Sequence, residues 1–201
     1  MVLISVTPTF AANWLIPNLP DFTSAHPNTD LRILATESVS SYHSDGIDLA
    51  VRQGSPPFGA SLDATLLFKQ SLVAVAAPVF AGEENTPLEP EALSELPKVH
   101  DTHDLWPSYL AQLGVTDQPA RHLRLSQTSL AVDAAIAGQG VALVSRFLVD
   151  HDLEAGRLGE GGPAWDVDRG DFYVLMLRTA KIKQSVTNVL TWLKSRSASD
   201  T

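Results

Sequence analysis

Short apolar runs alternate along this chain with segments whose apolar residues recur at helical spacing. Strands are predicted at Leu3–Val6, Leu31–Ala35, Asp48–Arg52, Leu72–Ala76, Lys98–His100, His122–Leu125, Val141–Val144 and Phe172–Leu177. Helical patterns fall near Trp14–Ala25, Ser41–Ser44, Pro78–Ala81, Glu89–Leu96, Pro107–Leu113, Ser129–Ala137, Phe147–Ala155 and Ile182–Ser195. The last is the most regular: Ile182, Val186, Val189, Leu190 and Leu193 make a single apolar stripe. Strand–helix alternation of this kind predicts an α/β protein with largely parallel pairing. Pro17 and Pro20 interrupt the first helix, and an interior proline costs roughly 3 kcal/mol. A 3₁₀ turn over residues 9–13, ahead of a main helix that starts later, would place Pro17 in its tolerated first turn.

Two strand-to-helix junctions carry hydroxyls. Thr7-Pro8-Thr9 follows the first strand, and Thr128-Ser129 opens a helix in the second half. Such residues cap helices. They also stand where unpaired N–H groups and the positive dipole end attract an anion. Both readings hold for either junction, and the recurrence favours a ligand cleft. Arg52 ends the strand in "GIDLAVRQG", at the carboxyl end of the strand, where ligands gather in α/β sheets. Its planar fork suits a carboxylate, and an ion pair with a neighbouring acid is the equal alternative. Gly138-Gln139-Gly140 breaks the preceding helix before the next strand.

Composition narrows the function classes. The 201 residues, 44% apolar and 18% charged, can bury the core of one two-lobed unit or two small domains. With no cysteine, disulfides, thiolate zinc sites and cysteine nucleophiles are excluded. A net charge of −9, with no basic cluster longer than Lys181–Lys183, argues against direct nucleic-acid binding by these residues. The charge is uneven: residues 75–174 sum to −10, the rest to +1. No basic residue precedes Arg32, so a secretion leader is not visible. The longest apolar run, Leu72 to Ala81, is about half the ~20 residues of a membrane helix. Met1 directly abuts core-like strand residues, which predicts that a preceding segment is missing.

Catalytic signatures are sparse. There is no Gly-x-Ser-x-Gly elbow and no phosphate loop, and "GQGVAL" lacks the third glycine of a dinucleotide motif. "VHDTHDLWPSYL" offers His100, Asp101, His103 and Asp104 as metal-type ligands. A strand running into a turn would point only alternate residues the same way, so no metal or other cofactor is expected. Trp106 follows that strand end, either walling a pocket or covering a core.

Taken together, "SVTPTFAANWLIPNLPDFTSAHPNTDLRI", "GIDLAVRQG", "LFKQSLVAVAAPVFA", "DTHDLWPSYLAQLG", "SLAVDAAIAGQGVALVSRFLV" and "DFYVLMLR" resemble the effector-binding domain of LysR-type transcriptional regulators. The order is the family's throughout, and the branch containing the glycine-cleavage and β-lactamase regulators is the most similar. The resemblance implies a type 2 periplasmic-binding-protein fold, an α/β chain with two Rossmann-like lobes joined by two crossing strands. The lobes would be 1–74 plus 175–201, and 75–174. It implies a small-molecule effector held by Thr7, Thr9, Thr36, Ser38, Arg52, Asp101, Trp106, Thr128, Ser129 and Tyr173. Helix ends with Arg52 favour a carboxylate on that effector, while Trp106 and Tyr173 leave room for an apolar part. The resemblance further implies a cytoplasmic, non-enzymatic homodimer or tetramer. DNA would be contacted only through an N-terminal winged helix-turn-helix that this chain lacks. The rival reading of the same fold is a free-standing solute-binding protein of a transporter; a metal-dependent enzyme using the acidic lobe is a more distant one.

Overall fold

Each of the two longest apolar strands stays within one sheet. The computed structural model describes residues 1–38, 46–80, 87–118, 121–168, 170–178 and 181–199. Two compact units emerge, one of residues 1–70 with 167–201, the other of 71–166. These divisions lie four and eight residues from the expected lobe boundaries. The reason is that the strand Ser71–Ala76 (β5) bonds wholly within the second sheet, and Asp171–Leu177 (β11) wholly within the first.

The first sheet takes the strands Val2–Val6 (β1), Leu31–Ala35 (β2), Leu49–Gly54 (β3) and Leu62–Phe68 (β4), with β11, in the order β2-β1-β3-β11-β4. β2, β1 and β3 run parallel, and β11 is antiparallel to both its neighbours. β4 was not anticipated from the sequence. It is an edge strand whose Asp63, Ala64 and Leu66 face water, so only Leu67 and Phe68 carry a buried-strand signal.

The first helix begins earlier than its prolines suggest. Residues Pro8–Phe10 (α1) lead into a π-helical stretch, Ala11–Leu15, and then Ile16–Ala25 (α2). The expected 3₁₀ tightening is instead a π widening: the Ile16 N–H reaches the Ala11 carbonyl. The wider turn takes up one extra residue and delivers Pro17, which has no N–H to give, to the first turn of α2. Pro20 remains inside α2, which tolerates the missing bond. Phe10, Trp14 and Phe22 all lie in the core, with Trp192 of the C-terminal helix Gln184–Ser199 (α7) against Trp14 and Phe22.

The second unit is built on Ser71–Ala76 (β5), Lys98–His100 (β6), His122–Arg124 (β7), Val141–Ser145 (β8), Gly159–Glu160 (β9) and Trp165–Asp166 (β10). Its order is β10-β5-β8-β6-β7, with β9 alongside β5. β6, β7 and β8 are mutually parallel, while β5 is antiparallel to β8. Helices Pro90–Glu95 (α3), Trp106–Gln112 (α4), Thr128–Ile136 (α5) and Asp150–Glu154 (α6) complete it. The core gathers Val73, Val75, Val99, Val132, Ala135, Ala142 and Val144. The expected helix at 147–155 splits into a 3₁₀ turn, Arg146–Leu148, and α6. The expected helix near 78–81 is a turn through Phe80, closed by its N–H on the Ala77 carbonyl, with Ala81 outside the described residues. The Ser41–Ser44 segment also lies outside them.

Packing accounts for two notable groups. Tyr109 donates to the Pro163 carbonyl at 2.6 Å. Burial, reinforced by the nearby Glu160 carboxylate, pushes its phenol up to about 12. Gly140 adopts φ +148°, and a Cβ there would sit 2.5 Å from the Pro97 carbonyl oxygen. The second glycine of "GQGVAL" therefore serves a close backbone approach.

Candidate functional site

In the first unit the candidate residues stand at the carboxyl ends of β1, β2 and β3. Thr7 is the N-cap of α1: its Oγ1 accepts from the Phe10 N–H at 3.3 Å, and Pro8 takes the first helical position. Cap chemistry thus explains Thr7-Pro8. Thr9 is buried in the first turn. Thr36 bonds back to the Val6 carbonyl through its N–H, and its Oγ1 accepts from the Ser38 N–H at 3.1 Å.

Arg52 is the centre of this end. Its Nη1 donates to the Ser5 carbonyl (3.0 Å) and the Val51 carbonyl (2.8 Å). Its Nη2 donates to Ser5 Oγ at 2.7 Å and, at 3.5 Å, to the Ser38 carbonyl. The side chain is fixed across β1 and β3 by Ser5, a buried hydroxyl that sequence reasoning passed over. A serine between Ile4 and Val6 in an otherwise apolar strand was the available signal, since a buried polar group needs a partner. The register pairs Arg52 with Tyr173 on β11, so both side chains share one face of the sheet. Phe58, also unanticipated, lies against the Tyr173 ring with centroids 4.9 Å apart.

In the second unit, Asp101 follows β6 directly. Its Oδ1 accepts from the His103 N–H (2.9 Å) and its Oδ2 from the Thr128 hydroxyl (2.6 Å). The protein's own carboxylate thus already serves the first residue of α5. The residue capping that helix is Gln127, whose side chain makes no capping bond. Ser129 is half-buried in the same first turn. Trp106 is 2% exposed and gives its indole N–H to the Val99 carbonyl at 2.9 Å. That is the core-covering role, with edge-on packing against Tyr109. "HDTH" resolves into separate jobs: His100 bonds Asp104 at 2.6 Å, whereas His103 serves Asp101 through its backbone. Among the described residues no three imidazole or carboxylate side chains converge to hold a metal ion.

The His100 hydrogen bond, with the positive charge of Arg124 assisting, lowers the Asp104 carboxyl below its ordinary value. A lowered folded-state value means stabilisation that is present above the unfolded carboxylate range, about pH 4, and lost as pH falls through the folded one. Asp104→Asn is therefore expected to flatten the loss of melting temperature between pH 5 and pH 3. Identical acid profiles for variant and wild type would remove Asp104 from the acid response.

Comparison with known proteins identifies the arrangement. Residues 2–198 match the model of the LysR substrate binding domain. The chain belongs to that family. The LysR domain is 32% identical over 162 residues to the glycine cleavage system transcriptional activator of Escherichia coli K12, covering 77% of this chain and 51% of that protein. It is 31% identical over 174 residues to the homologous activator of Haemophilus influenzae, covering 86% and 57%. This LysR chain thus spans about half the length of the curated relatives it matches. In fold it is similar to the effector domain of the transcriptional regulator AmpR of Pseudomonas aeruginosa, with a TM-score of 0.77 at 22% identity, covering 100% and 96% of the two chains. The regulatory domain of CrgA from Neisseria meningitidis gives 0.72 at 20%, covering 97% of each. The LysR domain accordingly has the periplasmic-binding-protein-like fold of these effector domains.

Proposed function

We propose that this LysR effector-binding domain is the sensing part of a transcriptional regulator, responding to a small carboxylate-bearing molecule. The family match over residues 2–198, with activators among the relatives, supports a regulator over a solute-binding protein. The expected effector contacts are Thr7, Thr9, Thr36, Ser38, Arg52, Asp101, Thr128, Ser129 and Tyr173, whereas Trp106, expected from the sequence, is turned into the core. Arg52 carries the carboxylate reading: it is a cation oriented by Ser5 at a strand end, on the same face as Tyr173. The 3.5 Å contact to the Ser38 carbonyl is the one that a ligand oxygen would replace. The regulator would act in the cytoplasm as a homodimer or tetramer, without catalysing a reaction, and reach DNA through a separate N-terminal module. None of the described helices is long and apolar enough to cross a membrane.

The test pairs a library of carboxylates with their amides in thermal-shift and native mass-spectrometry measurements. An effector at 100 times its Kd adds about 2.7 kcal/mol to stability. Arg52→Ala should then weaken binding at least ~30-fold, as expected for removal of one partner of a desolvated charge pair. Unchanged affinity, or amides that bind as well as acids, would overturn the carboxylate assignment. Reading the gene upstream of the codon for Met1 separates the rival: a helix-turn-helix supports the regulator, an apolar leader the transporter.

A further inference from the structure

The second unit holds a continuous chain of ionisable groups on one face of its edge. Asp104 Oδ1 lies 2.6 Å from His100 Nδ1. His100 Nε2 lies 3.0 Å from His122 Nδ1. His122 Nε2 lies 3.7 Å from Asp117 Oδ2, and the other oxygen of Asp117 is 2.7 Å from Lys98 Nζ. Arg124 Nη1 closes the far end at 3.4 Å from Asp104. The parallel register builds this face, because Lys98 pairs with His122 and His100 with Arg124. His100 is 4% exposed and Lys98 fully buried. Among the described residues, these are the charged groups facing the two imidazoles: Lys98 from β6, Arg124 from β7, Asp104 from the turn after β6, and Asp117 from the segment after α4. From α3 comes the Ser94 carbonyl, which accepts from Lys98. Asp101 and His103, on the same turn as Asp104, are engaged with each other and with Thr128.

We infer that His100 and His122 form an acid-sensitive lock, a pair that takes one proton with every link intact and cannot take a second without breaking. A carboxylate only accepts, so His100 Nδ1 must carry a hydrogen for Asp104. One further proton then completes the chain in either of two ways. With the charge on His100, Nε2–H donates to His122 Nδ1, and His122 keeps its hydrogen on Nε2 toward Asp117. With the charge on His122, both its nitrogens donate, to His100 and toward Asp117. The two forms differ by the position of one proton along the 3.0 Å bond. With both rings protonated, two N–H groups face each other at that distance and the bond is gone. Acid therefore opens the link that ties edge strand β7 to the end of β6. This inference stands on the second unit alone and does not depend on which effector is bound.

The unfolded chain accommodates a proton on each free imidazole, near pH 6.5, while the folded pair accommodates one. Stability falls toward acid wherever the unfolded state binds more protons. The excess of one proton should raise the unfolding equilibrium constant of the 201-residue chain by up to about tenfold per pH unit below that range. In His122→Gln the amide oxygen accepts from a protonated His100, so this part of the slope should vanish between pH 6.5 and 5. Equal slopes in variant and wild type would overturn the lock. Histidine side-chain ¹⁵N–¹H correlation spectra of the wild type supply a second readout that needs no variant to fold. One imidazolium shared by the two rings is the expected result. Two imidazolium rings in a protein with its native spectrum would overturn the inference.

Discussion

Trp14→Ala is expected to lower stability by about 4 kcal/mol, the cost of removing a large aromatic from a close-packed core. Trp14 is 2% exposed and lies on the π-helical stretch. Its ring meets Phe10 at 5.1 Å, Phe68 edge-on at 5.2 Å and Trp192 at 5.9 Å. It therefore joins the first helix to edge strand β4 and to the C-terminal helix. Trp14→Phe should retain more than half of the lost stability, because it keeps most of the apolar burial. Urea denaturation followed by far-ultraviolet circular dichroism measures both. A loss below ~1 kcal/mol for the alanine variant would show that this aromatic cluster is not the keystone of its unit.

Gly140→Ala is expected to cost roughly 3 kcal/mol, for two independent reasons. The residue sits at φ +148°, a conformation that L side chains rarely adopt. The new methyl would meet backbone, the Pro97 carbonyl oxygen at 2.5 Å, which cannot rotate aside like a flexible side chain. That carbonyl also accepts the Val141 N–H at 2.8 Å, so moving it disturbs the start of the β6–β8 pairing. Gly138→Ala is the control. It shares the positive φ, at +71°, but meets only a Val79 methyl at 3.9 Å, so its cost should be about 1 kcal/mol, as for backbone strain alone. Equal losses at the two positions would mean that conformation, and not close approach, explains the glycine pair.

Much of the fold is readable because most of its strands are buried and its longer helices amphipathic, and both properties leave periodic patterns. β4 escaped because only its last residues are buried, and an edge strand with water on one side writes a weaker pattern. In the first helix the prolines predict an irregularity, but its kind, a π widening where a 3₁₀ turn is expected, is not legible from them. A residue without an N–H can be accommodated by a wider turn as well as a tighter one, and composition does not choose between them. At the candidate site, the capping role of Thr7 was readable from Thr-Pro alone. The position of Trp106 after a strand end is legible, but its orientation into the core, with a bond to Val99 seven residues earlier, is not. Ser5 and Arg52 are 47 residues apart, and His100 and His122 are 22 apart. Such pairings are set by sheet register, which local spacing does not reveal.

The position of β11 has a consequence for synthesis. The first sheet places this strand, encoded last among its members, between β3 and β4. As the chain emerges from the ribosome, β1, β2 and β3 can pair early, but β4 has no neighbour until residue 171 has been made. The whole of 71–166 is delivered in that interval and can close its own sheet first. The later unit in sequence is thus the earlier one to be completed. Meanwhile β4, with Leu66, Leu67 and Phe68, waits as an unpaired apolar strand, the species that nascent chains most need shielded from one another.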